Sequence, residues 1–269
     1  MIPKDYVNLK ILGRNANGDI TKKVRSLLDQ KLYVIKSLGG RKLSENQKKI
    51  LNILKDDKCP FIVNHYPLDE INNEIKTDFI NNGDLLEYVN TFNDLGQPIE
   101  ENVLLNIFSQ CAESIKYLHD KRIIHRNIRL ENFYMTEHMD IKLGNFIYVT
   151  FMNGIDEKIN YPEEGMLYKN ADTLNNSTYN EKSDIYALGV LFYKMCYFEF
   201  PYEIKYIDNN ENPNKGSYEL KKNEKIVIRK YSEDLKKMIN KMIDPNENIK
   251  IDDICKIIYD LKNLKKNEL

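Results

Sequence analysis

The apolar pattern of this chain changes period once, near residues 79–84, and that change restricts the folds open to it. Before it lie short runs rich in β-branched and aromatic residues. "YVNLKILGR" (6–14) is strand-like, "GDITKKVRSL" (18–27) is mixed, and "QKLYVIKSL" (30–38) is a compact strand. "FIVNHYPL" (61–68) and "NEIKTDFI" (73–80) are further β-type runs, separated by the polar turn "DEINN". One helix interrupts them. "SENQKKILNILKDD" (44–57) opens on a serine suited to capping and sets Ile50, Ile53 and Leu54 on one face.

After "NNGD" (81–84) the spacing becomes helical. "DLLEYVNTF" and the long "IEENVLLNIFSQCAESIKYLHDK" carry apolar residues three and four apart. "SDIYALGVLFYKMCYF" (183–198) is apolar nearly all round, which predicts a buried helix. "SEDLKKMINKMI" (232–243) and "IDDICKIIYDLKNL" (251–264) are amphipathic, and "DNNENPNKGS" (208–217) reads as a polar loop. The expected fold class is α+β. It has a bilobal architecture within one domain spanning 1–269: a small β-rich lobe over about 1–80 and a larger helical lobe over about 81–269. The junction places a cleft between lobes, a preferred location for ligand sites.

Charge and cysteine usage narrow the function classes. Forty Lys and Arg against 41 Asp and Glu leave a formal net charge of -1, so no nucleic-acid footprint is expected. Cys59, Cys111, Cys196 and Cys255 are widely separated, without a CxxC pair, and read as free thiols of a reducing cytosol. The start "MIPKDYVNLKILG" lacks the apolar core of a signal peptide, and "IYALGVLFY" is too short to span a bilayer. Without an import signal the closing "KNEL" is not read as a retention address. No membrane contact is expected. The expected location is cytoplasmic, with access to the nucleus left open.

Five stretches follow one another in a fixed order: "LGRNANGDI", "YVIK", "HRNIRLEN", "LGNF" and "SDIYALG". In that order and spacing the chain resembles the protein kinase superfamily, most closely its serine/threonine branch and the NEK-type kinases within it. The resemblance runs over residues 6–265. It implies a phosphate-covering hairpin at Gly13, Asn15 and Gly18, with Ile20 as the apolar residue after it. Lys36 would hold the first phosphates of ATP, Val34 would meet the adenine, and Thr77 would sit at the back of the pocket. Asp78 and Ile80 would lie on the hinge. Asn132 would be a second-metal ligand. Asp184 would accept backbone hydrogen bonds from the loop at 125–127.

The departures from that pattern concern the chemistry. Asn127 stands where the family has its catalytic aspartate, and an amide has essentially no basicity at neutral pH. Asn145 replaces the aspartate that holds Mg²⁺, which needs an anionic oxygen. Counting back from "KCPFIV" puts Ile50 at the position of the helix glutamate that pairs with Lys36, with Glu45 about a turn and a half away. Arg129 replaces the phosphate-steadying lysine and keeps its charge. In the loop after Asn145, Tyr148, Thr150, Tyr161, Tyr168 and Thr173 carry hydroxyls that could be phosphorylated, and none is singled out.

Three vacated positions on a coherent scaffold predict a pseudokinase: a binding or regulatory module for a protein partner of unidentified kind. An atypical active serine/threonine kinase is the competing expectation. Gly13, Gly18, Lys36 and the hinge favour a residual ATP pocket. The loss of the acid at 145 and the non-glycine Asn15 oppose it. Two outcomes stay open at this stage: weak, largely metal-independent nucleotide binding, or none. The part played by Mg²⁺ is likewise undecided.

Overall fold

The alternating pattern of the first half folds as one antiparallel sheet. The computed structural model describes residues 5–15, 17–152, 163–207, 217–223 and 231–267. β1 (Tyr6–Arg14), β2 (Ile20–Ser26), β3 (Leu32–Ser37), α1 (Glu45–Asp56) and β4 (Glu74–Asp78) form the small lobe, with sheet order β1-β2-β3-β4. The pairs Thr21↔Lys36 and Ile75↔Lys36 fix one face of this sheet, and Val34↔Thr77 continues it. Side chains alternate across a strand, so Val24, Tyr33 and Ile35 face the other way. They form a separate apolar cluster with Tyr6 and Tyr66 against it. Lys76 lies 4.2 Å from the Tyr66 ring centroid and 4.8 Å from that of Tyr33, which closes this outer face.

Helix α1 begins as its sequence directs. Ser44 accepts the Gln47 N–H, and the Gln47 side chain returns a bond to the Ser44 N–H. This reciprocal cap satisfies two of the orphan donors at the helix start. Ile50, Leu51 and Leu54 are buried in a core that runs without a break from this helix into the second lobe.

The large lobe contains α2 (Leu85–Asp94), α3 (Glu101–Asp120), β5 (Ile123–Ile124), β6 (Phe133–Met135), β7 (Ile141–Leu143), β8 (Thr150–Phe151), α4 (Ala171–Asn176) and α5 (Glu181–Tyr197). β9 (Tyr202–Ile207), β10 (Ser217–Lys222), α6 (Glu233–Ile243) and α7 (Ile251–Asn267) follow. Twelve of the 17 residues of α5 are buried, as its all-round apolar sequence requires. The short pairs β5·β8 and β6·β7 flank the loop that carries the interlobe residues. This is the expected bilobal α+β architecture. Among the described residues no helix is long and apolar enough to cross a membrane.

One local expectation fails. The run 61–68 makes only isolated bridges, Ile62↔Leu143 and His65↔Thr77, in place of a strand. Val63 donates to Leu143 and Tyr66 to Lys76, so the segment changes partner within a few residues between Pro60 and Pro67. The residues flanking the polar loop form the hairpin β9·β10, while 208–216 lie outside the described residues.

Helices α5 and α6 approach closely at Gly189, where an added Cβ would stand 2.6 Å from the Met242 Cβ and 2.8 Å from the Ile243 Cγ2. Gly189→Val should therefore destabilise the chain by roughly 1–3 kcal/mol through overpacking. Urea denaturation checks this, and an unchanged midpoint would refute the contact.

Candidate functional site

The face of the sheet that carries Val34, Lys36 and Thr77 roofs a cleft of about 560 Å³ between the lobes. Leu12, Gly13 and Thr21 complete the roof, and Val63, His65 and Ile75 form the back. The connection Asp78–Asn81 closes one side, and Tyr134 with residues 144–147 forms the floor. Of the residues the sequence singled out, Gly13, Val34, Lys36, Thr77, Asp78, Ile80 and Asn145 line this space. Asn15, Gly18, Ile20 and Asn132 do not.

Ile20 is a correction. The β1–β2 register slips between Ile11 and Gly13, and the cross-strand partner of Lys36 is Thr21. Thr21 therefore takes the cleft face, and Ile20 turns to the opposite one. Asn15 and Gly18 make the tip of the hairpin, where the Gly18 N–H donates to the Asn15 carbonyl.

Lys36 reaches across the cleft to a second lobe that offers it an amide. Its Nζ donates to Asn145 Oδ1 at 3.1 Å. Asn145 Nδ2 donates to Asn132 Oδ1 at 3.0 Å, and Asn132 Nδ2 donates to the Asn127 backbone carbonyl at 2.7 Å. The relay runs in one direction because each asparagine both accepts and donates. A carboxylate at 145 has no hydrogen to give to Asn132. Asn145 holds a left-handed φ of +64°, a conformation that asparagine adopts more readily than most residues.

As the isoleucine at position 50 implies, helix α1 brings no carboxylate to Lys36. Ile50 is 0% exposed, and Glu45 faces solvent beside Lys48 at 3.1 Å. Burial pushes the Lys36 amine down to about 8; Asp19 opposes the shift and Arg41 adds to it. Gln47, one turn from Ile50, donates to the Ile147 carbonyl at 2.6 Å and ties α1 to the cleft floor.

The loop at 125–132 is held by its buried groups. His125 is fully buried, with Nε2 donating to the Gly144 carbonyl at 3.0 Å and Nδ1 accepting the Asn127 N–H at 3.3 Å. Burial pushes its pKa down, so the ring is neutral. Phe146 packs edge-on to His125 and His65, with centroids 4.9 Å and 5.0 Å away. Asp184 accepts the N–H groups of His125 and Arg126 at 2.8 Å and 2.9 Å. Arg129 pairs with Glu131, and with Asn127 it lines a smaller pocket next to the cleft.

The donor set does not suit a bridging divalent ion. Asn132 and Asn145 are neutral and hydrogen-bonded to each other, whereas Mg²⁺ bound between phosphates takes carboxylate oxygens. Among the described residues no group of three or more His, Cys, Asp or Glu could hold a metal. The hydroxyls considered for phosphorylation are no better placed: Tyr148, Thr150, Tyr168 and Thr173 are buried, and Tyr161 lies outside the described residues.

Sequence reasoning passed over Asp19, Arg41 and Gln47. Asp19 is 2% exposed at the end of the glycine-bearing turn, and Arg41 Nη2 lies 3.4 Å from its Oδ2. The run "NANGD" carried a signal, since Asn so close to Asn-Gly-Asp favours a side-chain-closed turn.

Comparison with known proteins places these features in a family. Residues 6–257 match the protein kinase domain. The chain is similar to serine/threonine-protein kinase Nek1 of Mus musculus, 29% identical over 204 residues, which are 74% of this chain and 17% of that protein. It is 26% identical over 254 residues to serine/threonine-protein kinase Nek2 of Homo sapiens, covering 90% of this chain and 56% of that protein. It is also similar to the probable serine/threonine-protein kinase nek2 of Dictyostelium discoideum, 24% identical over 278 residues, with coverage of 98% and 65%. The chain thus spans 17% to 65% of the length of these relatives.

Lys36 has a pH signature. Between pH 8 and 10.5 the unfolded chain still holds a proton that the folded amine has released, so this group's contribution to stability rises with pH across that window. Urea denaturation of the unaltered chain and Lys36→Met at about pH 8 and pH 10 should show the advantage of methionine shrinking as pH rises. A constant difference would mean that Lys36 is not buried as a charge.

Proposed function

Within the protein kinase domain family, to which this chain belongs, we propose that it is a catalytically impaired member acting as a protein-binding or regulatory module. Its cleft takes nucleotide weakly at most. The observation that carries the reading is the relay from Lys36 through Asn145 and Asn132 to the loop at Asn127. The positions of the base and the metal carboxylate hold amides, and Asn132 links them, accepting from the Asn145 side chain and donating to the Asn127 backbone carbonyl.

The energetic scale supports it. General-base assistance is worth roughly 10²- to 10⁴-fold in rate. Asn127 cannot supply it, because an amide does not take up a proton near neutral pH. Asn145 adds a second, independent loss at the metal position, and Ile50 a third beside Lys36. No single neighbouring carboxylate compensates for all three. The scaffold of His125, Phe146 and Asp184 then serves shape, which is what a docking module requires.

The names of the relatives favour a second reading, an atypical serine/threonine kinase that transfers the ATP γ-phosphate to protein hydroxyls. Lys36, Arg129 and Asn132 are the residues it would use. Labelled ATP with Mg²⁺ or Mn²⁺ and generic protein substrates separates the two. The unaltered chain should transfer no label above the level of Lys36→Ala. The double variant Asn127→Asp/Asn145→Asp measures what the two lost carboxylates supplied. Steady turnover by the unaltered chain, abolished by Lys36→Ala, would overturn the impaired reading.

A further inference from the structure

We propose that the cleft discriminates against phosphates and takes a neutral, nucleoside-type ligand, and that Asp19 sets this specificity. The inference rests on the reading of the cleft as a nucleotide-family pocket and reverses the expected preference within it.

Among the described residues of the hairpin tip, the N–H groups of 17, 18 and 19 are already bonded. A turn that receives phosphates does so through free backbone N–H groups. Here the Asn17 N–H donates to Asn15 Oδ1 at 3.1 Å, and the Asp19 N–H donates to the same oxygen at 2.9 Å. The Gly18 N–H donates to the Asn15 carbonyl at 3.1 Å. Asn15 Nδ2 in turn donates to Asp19 Oδ2 at 2.9 Å. One asparagine therefore binds all three of these groups and holds the carboxylate as well.

The tip is also pressed down onto the chain after β3. Gly39 has φ +43°, and an added Cβ there would stand 2.9 Å from the backbone of Asn17 and Gly18. This brings Asp19 to Arg41 at 3.4 Å and makes it the carboxylate that Lys36 feels. The Arg41 guanidinium lies 5.1 Å from the centroid of the Tyr148 ring, the residue that follows the floor segment 144–147. The protein supplies from its own turn the anion that these two cations would take from a phosphate. Asp19 Oδ1 is buried with no hydrogen-bond partner, as is Arg41 Nε, so an incoming phosphate would have to compete with Asp19 for Arg41.

The cleft itself has the wrong sign for a polyanion. Among the described residues lining it, Lys36 is the only lysine or arginine, against Asp84, Glu87 and Glu131, and Glu131 is paired with Arg129. The Asp78 carboxylate is engaged by Tyr66 and Asn64 on the outer face of the sheet. Burial, with Glu87 and Glu131 nearby, pushes the Asp84 carboxyl up. Carboxylates at the mouth repel phosphate and accept hydrogen bonds from hydroxyls. Val34, Val63 and Ile75 offer an apolar wall to a flat ring.

Calorimetric titration of the full chain with adenosine and with ATP, both without divalent metal, tests this, alongside Asp19→Asn and Asn15→Gly. The unaltered chain should bind adenosine at least about fivefold more tightly than ATP. Asp19→Asn should strengthen ATP about tenfold, equivalent to about 1.4 kcal/mol, and leave adenosine within about twofold. Asn15→Gly, which frees the Asn17 and Asp19 N–H groups while keeping Asp19, should also favour ATP selectively. ATP binding as tight as adenosine on the unaltered chain would overturn the inference while leaving the pocket reading intact. So would variants that move both ligands together. If none of the three chains binds either ligand, the pocket reading itself has failed and the inference falls with it.

Discussion

The Asp184 carboxylate, 1% exposed on the apolar helix α5, accepts the N–H groups of His125 and Arg126 and lies 3.2 Å from His119 Nε2. A charge buried this deeply is tolerated only where donors surround it. The three groups it engages come from α3 and the loop after β5, so one carboxylate joins three parts of the large lobe. With His125 fixed, its ring receives Phe146 and donates to the Gly144 carbonyl. That contact places Asn145, and Asn145 meets Lys36 from the other lobe. The connection between lobes is thus built outward from one buried carboxylate.

The same scaffold holds the cleft together without carboxylates at 127 and 145. The family's interlobe link is electrostatic, joining a lysine to carboxylates and metal. Here a relay of amides does the positioning, and each asparagine satisfies its neighbour. Hydrogen bonds between neutral groups fix geometry about as well as ion pairs while leaving no anion for a metal. Ile50 follows the same logic, since a buried glutamate without Lys36 beside it would cost more than an apolar side chain in that core. Lys36 keeps its place with its amine depressed to about 8, opposed by Asp19 from the hairpin tip.

The legible features were those governed by neighbours along the chain. The Ser44 cap of α1, the buried helix α5 and the strand β3 follow from spacing and residue type alone. Asn127 and Asn145 could be read as vacated because an amide's chemistry does not depend on its surroundings. Ile20 was misread because strand register depends on how many residues the preceding turn consumes, and a slip of one residue moves a side chain to the other face. The run 61–68 misled for a related reason, since its β-type residues find partners on two different elements.

The sequence by itself determined the two lobes, the main helices and the presence of amides at 127 and 145, because period, capping and side-chain chemistry are local properties. Only the tertiary structure decided what those amides bond to. That Asn145 and Asn132 bond each other is a contact across 13 residues, that Lys36 reaches Asn145 spans 109, and that Gln47 holds the Ile147 carbonyl spans 100. The role of Asp19 belongs to the same class: its carboxylate becomes an internal anion only because Gly39 lets the turn settle against the chain and bring it to Arg41. Electrostatic roles depend on distance and burial, and neither exists until the chain has folded.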